Sequence, residues 1–179
     1  MKFEIEFHGP FRVAAGHAAP GVDVSVDLTS LLPESSLKGV MRSAANQLGV
    51  AASLVAEVFG TAAAGSAWAW LPVTYATEPL VTRRARTPID AESGTVVAGA
   101  LLMAHEVWTS SATFHIEHVG RLDDATRQRH LCVLALAARG VRSLGGTRNR
   151  GLGWVTITAL DPPAMIHDSG ALLALLDAS

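Results

Sequence analysis

Four of the nine residues from Gly145 to Gly153 are glycine and two are arginine, in the run LGGTRNRGLGWVTI. One or two glycines suffice for a turn between a helix and a strand, so Gly145, Gly146, Gly151 and Gly153 imply that backbone passes close to a neighbouring group. Arg148 and Arg150 imply that this neighbour is anionic. The run stands between DDATRQRHLCVLALAARGVRSL, whose Leu131, Leu134, Ala138 and Val141 recur at helical spacing, and WVTITAL, which reads as a strand.

Elsewhere the chain sets an order of elements. Phe3, Ile5 and Phe7 alternate with Lys2, Glu4, Glu6 and His8, and Phe11 and Val13 continue the apolar set after a Gly-Pro break. This predicts a half-buried strand with a bulge. Residues 14–32 are rich in Gly, Pro and Ala, then in Val and Asp, and predict a long projecting loop or hairpin of the kind that carries function. The stretch PESSLKGVMRSAANQLGVAASLVAEVFG predicts a helix with Leu37, Val40, Met41, Ala44 and Leu48 on its apolar face and an N-cap with an acidic first turn at its start. Ser35, Ser36 and Lys38 fall where free backbone N–H groups and the helix dipole favour an anion. SAWAWLPVTYAT predicts a strand, residues 79–108 irregular hairpins, and ATFHIEHVG another alternating strand. The order is βαββαβ, an α+β ferredoxin-like (RRM-like) plan in a single domain over residues 1–179, with an insertion at about 79–108. An RRM offers its open sheet face to single-stranded RNA.

Composition narrows the function classes. A hydrophobic share of 49% with 17% charged residues excludes disorder, and no stretch reaches the ~18 apolar residues of a membrane span. Cys132 is the single cysteine, which excludes a disulfide framework and a thiolate metal cluster. The alternating N-terminal residues lack the apolar region of a secretory signal, so a cytoplasmic location is expected. A net charge of −2 argues against gripping nucleic acid by bulk charge. Yet 12 of the 14 basic residues are arginine, in groups such as Arg83/Arg84/Arg86, Arg139/Arg142 and Arg148/Arg150, which suits a local groove that grips phosphates and stacks on bases.

Three patterns resemble one family. SSLKGVMR resembles the SSLKG-x-x-R helix start of the RAMP superfamily of CRISPR-associated proteins, RRARTPIDAESGTVVAGALLMAHEVW resembles the I-D-x-x-T-G segment of its backbone subunits, and GGTRNRGLGWV is similar to its glycine-rich loop. The likeness is greatest to the repeated backbone subunit of type III Csm and Cmr effector complexes. It implies a guide-RNA-binding subunit that associates with copies of itself, with other effector subunits and with complementary target RNA, in antiviral defence. It implies guide-backbone contacts for Ser35, Ser36, Lys38, Arg42, Arg148 and Arg150, a close RNA approach at Gly145, Gly146, Gly151 and Gly153, and a thumb-like role for the insertion.

Type III backbone subunits cut target RNA with a loop aspartate. In GVDVSVDLTSLLPESSLKG the resemblance places Asp23 there, with Asp27 as second choice, and implies a divalent metal, Mg or Mn, at Asp23. Such a carboxylate would help activate the ribose 2′-OH. The connecting piece is shorter than the family pattern, Val24 replaces a usual proline, and PES replaces PGS. A non-cutting architectural member is one alternative. The other is a metal-independent endoribonuclease that processes precursor guide RNA, for which His17, in a glycine-bearing loop, is the candidate base. His115 and His118, three apart on a strand, point to opposite faces and make a poor metal pair.

Overall fold

The computed structural model describes residues 1–17, 19–97, 99–146 and 151–176. Its strands are β1 (Lys2–Phe7), β2 (Trp68–Trp70), β3 (Thr74–Tyr75), β4 (Leu80–Arg86), β5 (Leu102–Trp108), β6 (Ser111–His118) and β7 (Val155–Ala159). The helices are α1 (Glu34–Gln47), α2 (Ala52–Phe59), α3 (Asp124–Gly140) and α4 (Ser169–Leu176), with a 3-10 turn at Ala164–His167.

The main sheet is antiparallel with order β2-β6-β1-β7, and β3 also pairs with β6. The alternation of β1 decides which face is covered, because Phe3, Ile5 and Phe7 are buried while Lys2, Glu4 and Glu6 are exposed. Phe3 stacks on its cross-strand partner Phe114 with ring centroids 4.9 Å apart, and Leu37 and Met41 of α1 and Leu134 and Ala138 of α3 complete that core. Asp123 caps α3, accepting from the Thr126 N–H. Among the described residues no helix is long and apolar enough to cross a membrane.

Several expectations need correction. The stretch from Pro33 to Gly60 forms two helices, because Gly49 takes φ +80° between α1 and α2 and a helix cannot continue through that conformation. Leu48 is the cap of α1 and 44% exposed, outside the apolar face. The N-cap of α1 is Pro33, with no side-chain cap bond; its serines sit inside the first turn, where only Glu34 fulfils the acidic expectation. The single strand over 66–77 is two short ones. Trp70 pairs with Ile116 but Thr74 with Thr113, so three residues of β6 face four of this segment, and the extra residue bulges around Pro72. The open sheet face is also unlike an RNA platform over most of its area. Glu4 lies between Thr113 and Thr158, and Glu6 between Ser111 and Thr156, so carboxylates rather than aromatic rings occupy its centre.

The 79–108 segment contains a regular hairpin, β4 with β5, as a separate two-stranded sheet. Its ladder runs from Leu80↔Trp108 to Arg86↔Leu102. A partly buried ion pair lies at its inner face: Arg86 Nη2 stands 2.8 Å from the buried Glu106 Oε1, beside the buried Arg12. Burial lowers the pKa of the Arg12 guanidinium from its ordinary value, Arg86 adds to this, and Glu106 opposes it.

Candidate nucleic-acid interface

The two ends of the glycine run pair with each other and with the stretch that follows β1. Ser143 bridges Trp154, the Leu144 N–H donates to Gly153 O at 2.8 Å, the Gly153 N–H to Pro10 O at 2.8 Å and the Gly146 N–H to Arg12 O at 2.8 Å. Two glycines are required by this packing. A Cβ on Gly145 would lie 2.1 Å from Arg12 O and one on Gly153 2.0 Å from Leu144 O, and both have positive φ, +77° and +75°. The close neighbour that these two residues meet is therefore the chain's own backbone. A Cβ on Gly146 or Gly151 would meet nothing within 4 Å, so close packing explains neither, and only Gly151 needs its φ of +80°. Arg148 and Arg150 lie outside the described residues.

At about 100° per residue, Ser35, Lys38 and Arg42 form one stripe on α1, with Ser35 and Arg42 exposed and Lys38 half-buried. The opposite flank of α1 meets the entry to the glycine loop. There Val40, Ser43 and Gln47 line a cavity of about 330 Å³ with Gly140, Arg142 and Ser143. The fold thus brings α1 beside the loop but leaves Lys38 and Arg42 out of the groove between them. Ser36 N–H is taken by Pro33 O at 3.0 Å, which removes one of the anion-facing donors expected at this helix start.

An aromatic surface that the sequence reading passed over stands at the base of the loop. Trp154 is 58% exposed and pairs with His8, whose N–H donates to Trp154 O at 2.9 Å. His8 Nε2 lies 2.8 Å from Thr156 Oγ1, so His8, Trp154 and Thr156 share the open face. An exposed indole there can stack a base at the rim of the sheet, one pair along from Glu6, whose carboxylate stands 3.9 Å from His8 Nδ1. The signal in the sequence was a tryptophan placed directly after the glycines.

Asp23 and Asp27 sit on the loop before α1, which folds back on itself through the bridges Ala14↔Val26 and Ala19↔Val22 and joins β5 through a parallel bridge, Val24↔Ala104. Asp23 is exposed, and its Oδ2 accepts the Met103 N–H at 2.8 Å. Asp27 is occupied differently. Its Oδ1 accepts from Thr29 Oγ1 at 2.7 Å and Thr29 N–H at 2.8 Å, and these bonds hold its carboxyl below the usual carboxylate range. His17 and Asp23 line one shallow cavity of about 160 Å³ with Ser25. His17 Nδ1 is 3.1 Å from Ala15 O, and a carbonyl only accepts, so Nδ1 carries the proton in that contact and Nε2 is left as the basic nitrogen. Among the described residues no three His, Cys, Asp or Glu side chains converge as a metal site. His115 is exposed while His118 turns inward against Trp68, as the strand periodicity predicts.

The model of the RAMP superfamily matches residues 4–156. The fold is shared with a chain of the cryo-EM structure of the Type III-B Cmr-beta bound to cognate target RNA, at TM-score 0.70 and 12% identity over 88% of this chain and 95% of that one. It is likewise shared with a chain of the Type III-B Cmr-beta apo-state structure, at TM-score 0.69 and 13% identity over 89% and 96%. No curated protein matches the chain in sequence.

Proposed function

Because the chain belongs to the RAMP superfamily, we propose that it is a guide-RNA-binding backbone subunit of a type III-like CRISPR effector ribonucleoprotein that acts in antiviral defence. The observation that carries this reading is the fold likeness, over nearly nine tenths of the chain, to a chain of a Cmr complex bound to target RNA. We read the sheet order β2-β6-β1-β7 with its helical layer as the ferredoxin-like plan. Guide RNA tracks the glycine hairpin and the Ser35, Lys38, Arg42 stripe, with Trp154 as a stacking surface, because the carboxylates at the centre of the sheet repel phosphate. The β4–β5 hairpin, with Leu80, Ile89, Val96 and Leu101 exposed, reaches the next copy along the RNA.

Target RNA cleavage is assigned to Asp23 in preference to Asp27, since Asp27 is turned onto Thr29. The Met103 N–H fixes one carboxylate oxygen and leaves Oδ1 for an approaching ribose or a divalent metal, Mg or Mn. A single carboxylate fits a metal that takes its remaining ligands from water and RNA phosphates, and the metal, when bound, would neutralise charge at the scissile phosphate.

The test is co-production with guide RNA and the neighbouring effector subunits, followed by light scattering with absorbance ratio. An RNA-bearing particle holding several copies of the chain is expected. A nucleic-acid-free monomer in that mixture overturns the proposal. The free Nε2 of His17 favours one rival, a metal-independent nuclease for precursor guide RNA. That enzyme cuts in chelator and loses activity on His17→Ala.

A further inference from the structure

The outer edge of β7 presents backbone groups that the main sheet does not use. β7 ends the sheet order, and among the described residues no strand pairs with its outer side. The ladder to β1 shows which groups face outward. His8 N–H bonds Trp154 O and Leu160 N–H bonds Lys2 O, so the even-numbered residues exchange hydrogen bonds with β1. The N–H and C=O groups of Ile157 and Ala159 consequently point to the free edge. One residue earlier in that outward set, the Val155 N–H is already taken by Arg142 O at 3.1 Å.

A cavity of about 410 Å³ runs along this edge, between β7, the C-terminal turn of α3 and the 3-10 turn. Its floor is apolar, from Ala135, Ile157 and Ile166, and its rim is basic, from Arg139, Arg142 and His167. Among the described residues no carboxylate lines it. The two acidic residues that flank it in sequence are turned onto backbone: Asp161 accepts the Lys2 N–H at 2.9 Å and Asp168 the Gly170 N–H at 2.9 Å. Neither Arg139 nor Arg142 forms an ion pair among the described residues.

We infer that this edge binds an extended segment of a partner polypeptide that alternates apolar and acidic residues. Its backbone pairs with Ile157 and Ala159, an apolar side chain enters the cavity over Ile166, and carboxylates meet Arg139 and Arg142. Strand addition of this kind draws affinity from main-chain bonds and specificity from alternate side-chain pockets. The unpaired backbone and the apolar floor favour a peptide over a phosphate chain, which has use only for the basic rim.

The experiment measures fluorescence anisotropy of the labelled hexapeptide Glu-Val-Glu-Val-Glu-Val against the full chain, with the lysine counterpart as control, and amide hydrogen exchange with and without peptide. The acidic peptide is expected to bind, to slow exchange at the Ile157 and Ala159 amides, and to weaken roughly tenfold or more on Arg139→Glu with Arg142→Glu. Ala159→Pro removes an N–H that β1 does not use, which an edge strand tolerates, and is expected to abolish binding with the fold intact by circular dichroism. Equal binding of both peptides, binding of neither, or unchanged binding to folded Ala159→Pro overturns the inference. If oligouridine binding falls with the arginine pair while the acidic peptide never protects Ala159, the rim belongs to nucleic acid and the inference also fails.

Discussion

Asp23 and Met103 hold each other by two backbone-anchored bonds: the Met103 N–H donates to Asp23 Oδ2 at 2.8 Å and the Asp23 N–H donates to Met103 O at 2.8 Å. The candidate catalytic carboxylate therefore rides on the β4–β5 hairpin rather than on the main sheet. His105 N–H also bonds Val24 O at 2.9 Å, so the odd residues of β5 serve the loop and the even ones the ladder to β4. Met103→Pro removes the bond to Asp23 and spares that ladder. Both Met103→Pro and Asp23→Ala are expected to slow metal-dependent cleavage of target RNA about 100-fold or more, with guide binding unchanged. Equal cleavage by Asp23→Ala would exclude the carboxylate.

Glycine substitutions separate packing from RNA contact. Gly145→Ala and Gly153→Ala force a Cβ into a carbonyl oxygen at positive φ and are expected to cost more than about 3 kcal/mol each. Gly146→Ala meets open space and is expected to leave the melting temperature unchanged. Chemical denaturation reads the first effect and RNA affinity at Gly146→Ala reads the second.

Trp154→Ala is expected to weaken binding of single-stranded oligouridine by about 1–3 kcal/mol, with little loss of stability because the ring is 58% exposed. Lys38→Ala and Arg42→Ala should each reduce the salt slope of binding by about one. A salt titration of the three variants distinguishes stacking from charge, since Trp154→Ala leaves the slope intact.

Glu106→Ala leaves Arg86 and the buried Arg12 without their carboxylate. The Glu106 side chain is 4% exposed and that of Arg86 26%, so the expected loss is about 3 kcal/mol, the low end for breaking a buried pair. Urea unfolding measures it. Hydrogen exchange should rise first in β4 and β5, where the pair sits.

Backbone and side-chain bonds from Thr126 hold Asp123 below the usual carboxylate range, as bonds from Thr29 and Ser93 do for Asp27 and Asp90. A carboxyl with a lowered folded value stabilises the fold above its unfolded value, near ~3.9, and that contribution disappears as pH falls through the folded value. The melting temperature is expected to be insensitive to these groups from pH 7 to about 5 and to drop below about 4. Asp123→Ala should lower it at pH 7 and flatten the acid limb.

Where local chemistry and tertiary packing agree, the architecture was legible from the residues. The two-residue alternation of β1 and the helical spacing of α3 carry their structure on their face. Positions decided by distant partners were not. The bulge at Pro72 is set by the register of β6, whereas the break at Gly49 did carry a local signal, a glycine in the left-handed conformation that ends α1. The same holds for the site. The glycine run was visible, but the identity of its neighbours, Arg12 O and Leu144 O, depends on a hairpin closing over residues 10–12. The partner of Asp23, 80 positions away on β5, had no local signal at all.

The clasp formed by Ser143 with Trp154, and by Gly146 and Gly153 with Arg12 and Pro10, fastens the two ends of the glycine run to each other and to the stretch after β1. Extending a loop whose ends are already joined costs little, about 0.6 kcal/mol for each doubling of length. What lies beyond the clasp can therefore change length at little cost to the fold. The clasp thus divides the run into a part that the fold dictates and a part that it leaves open to change.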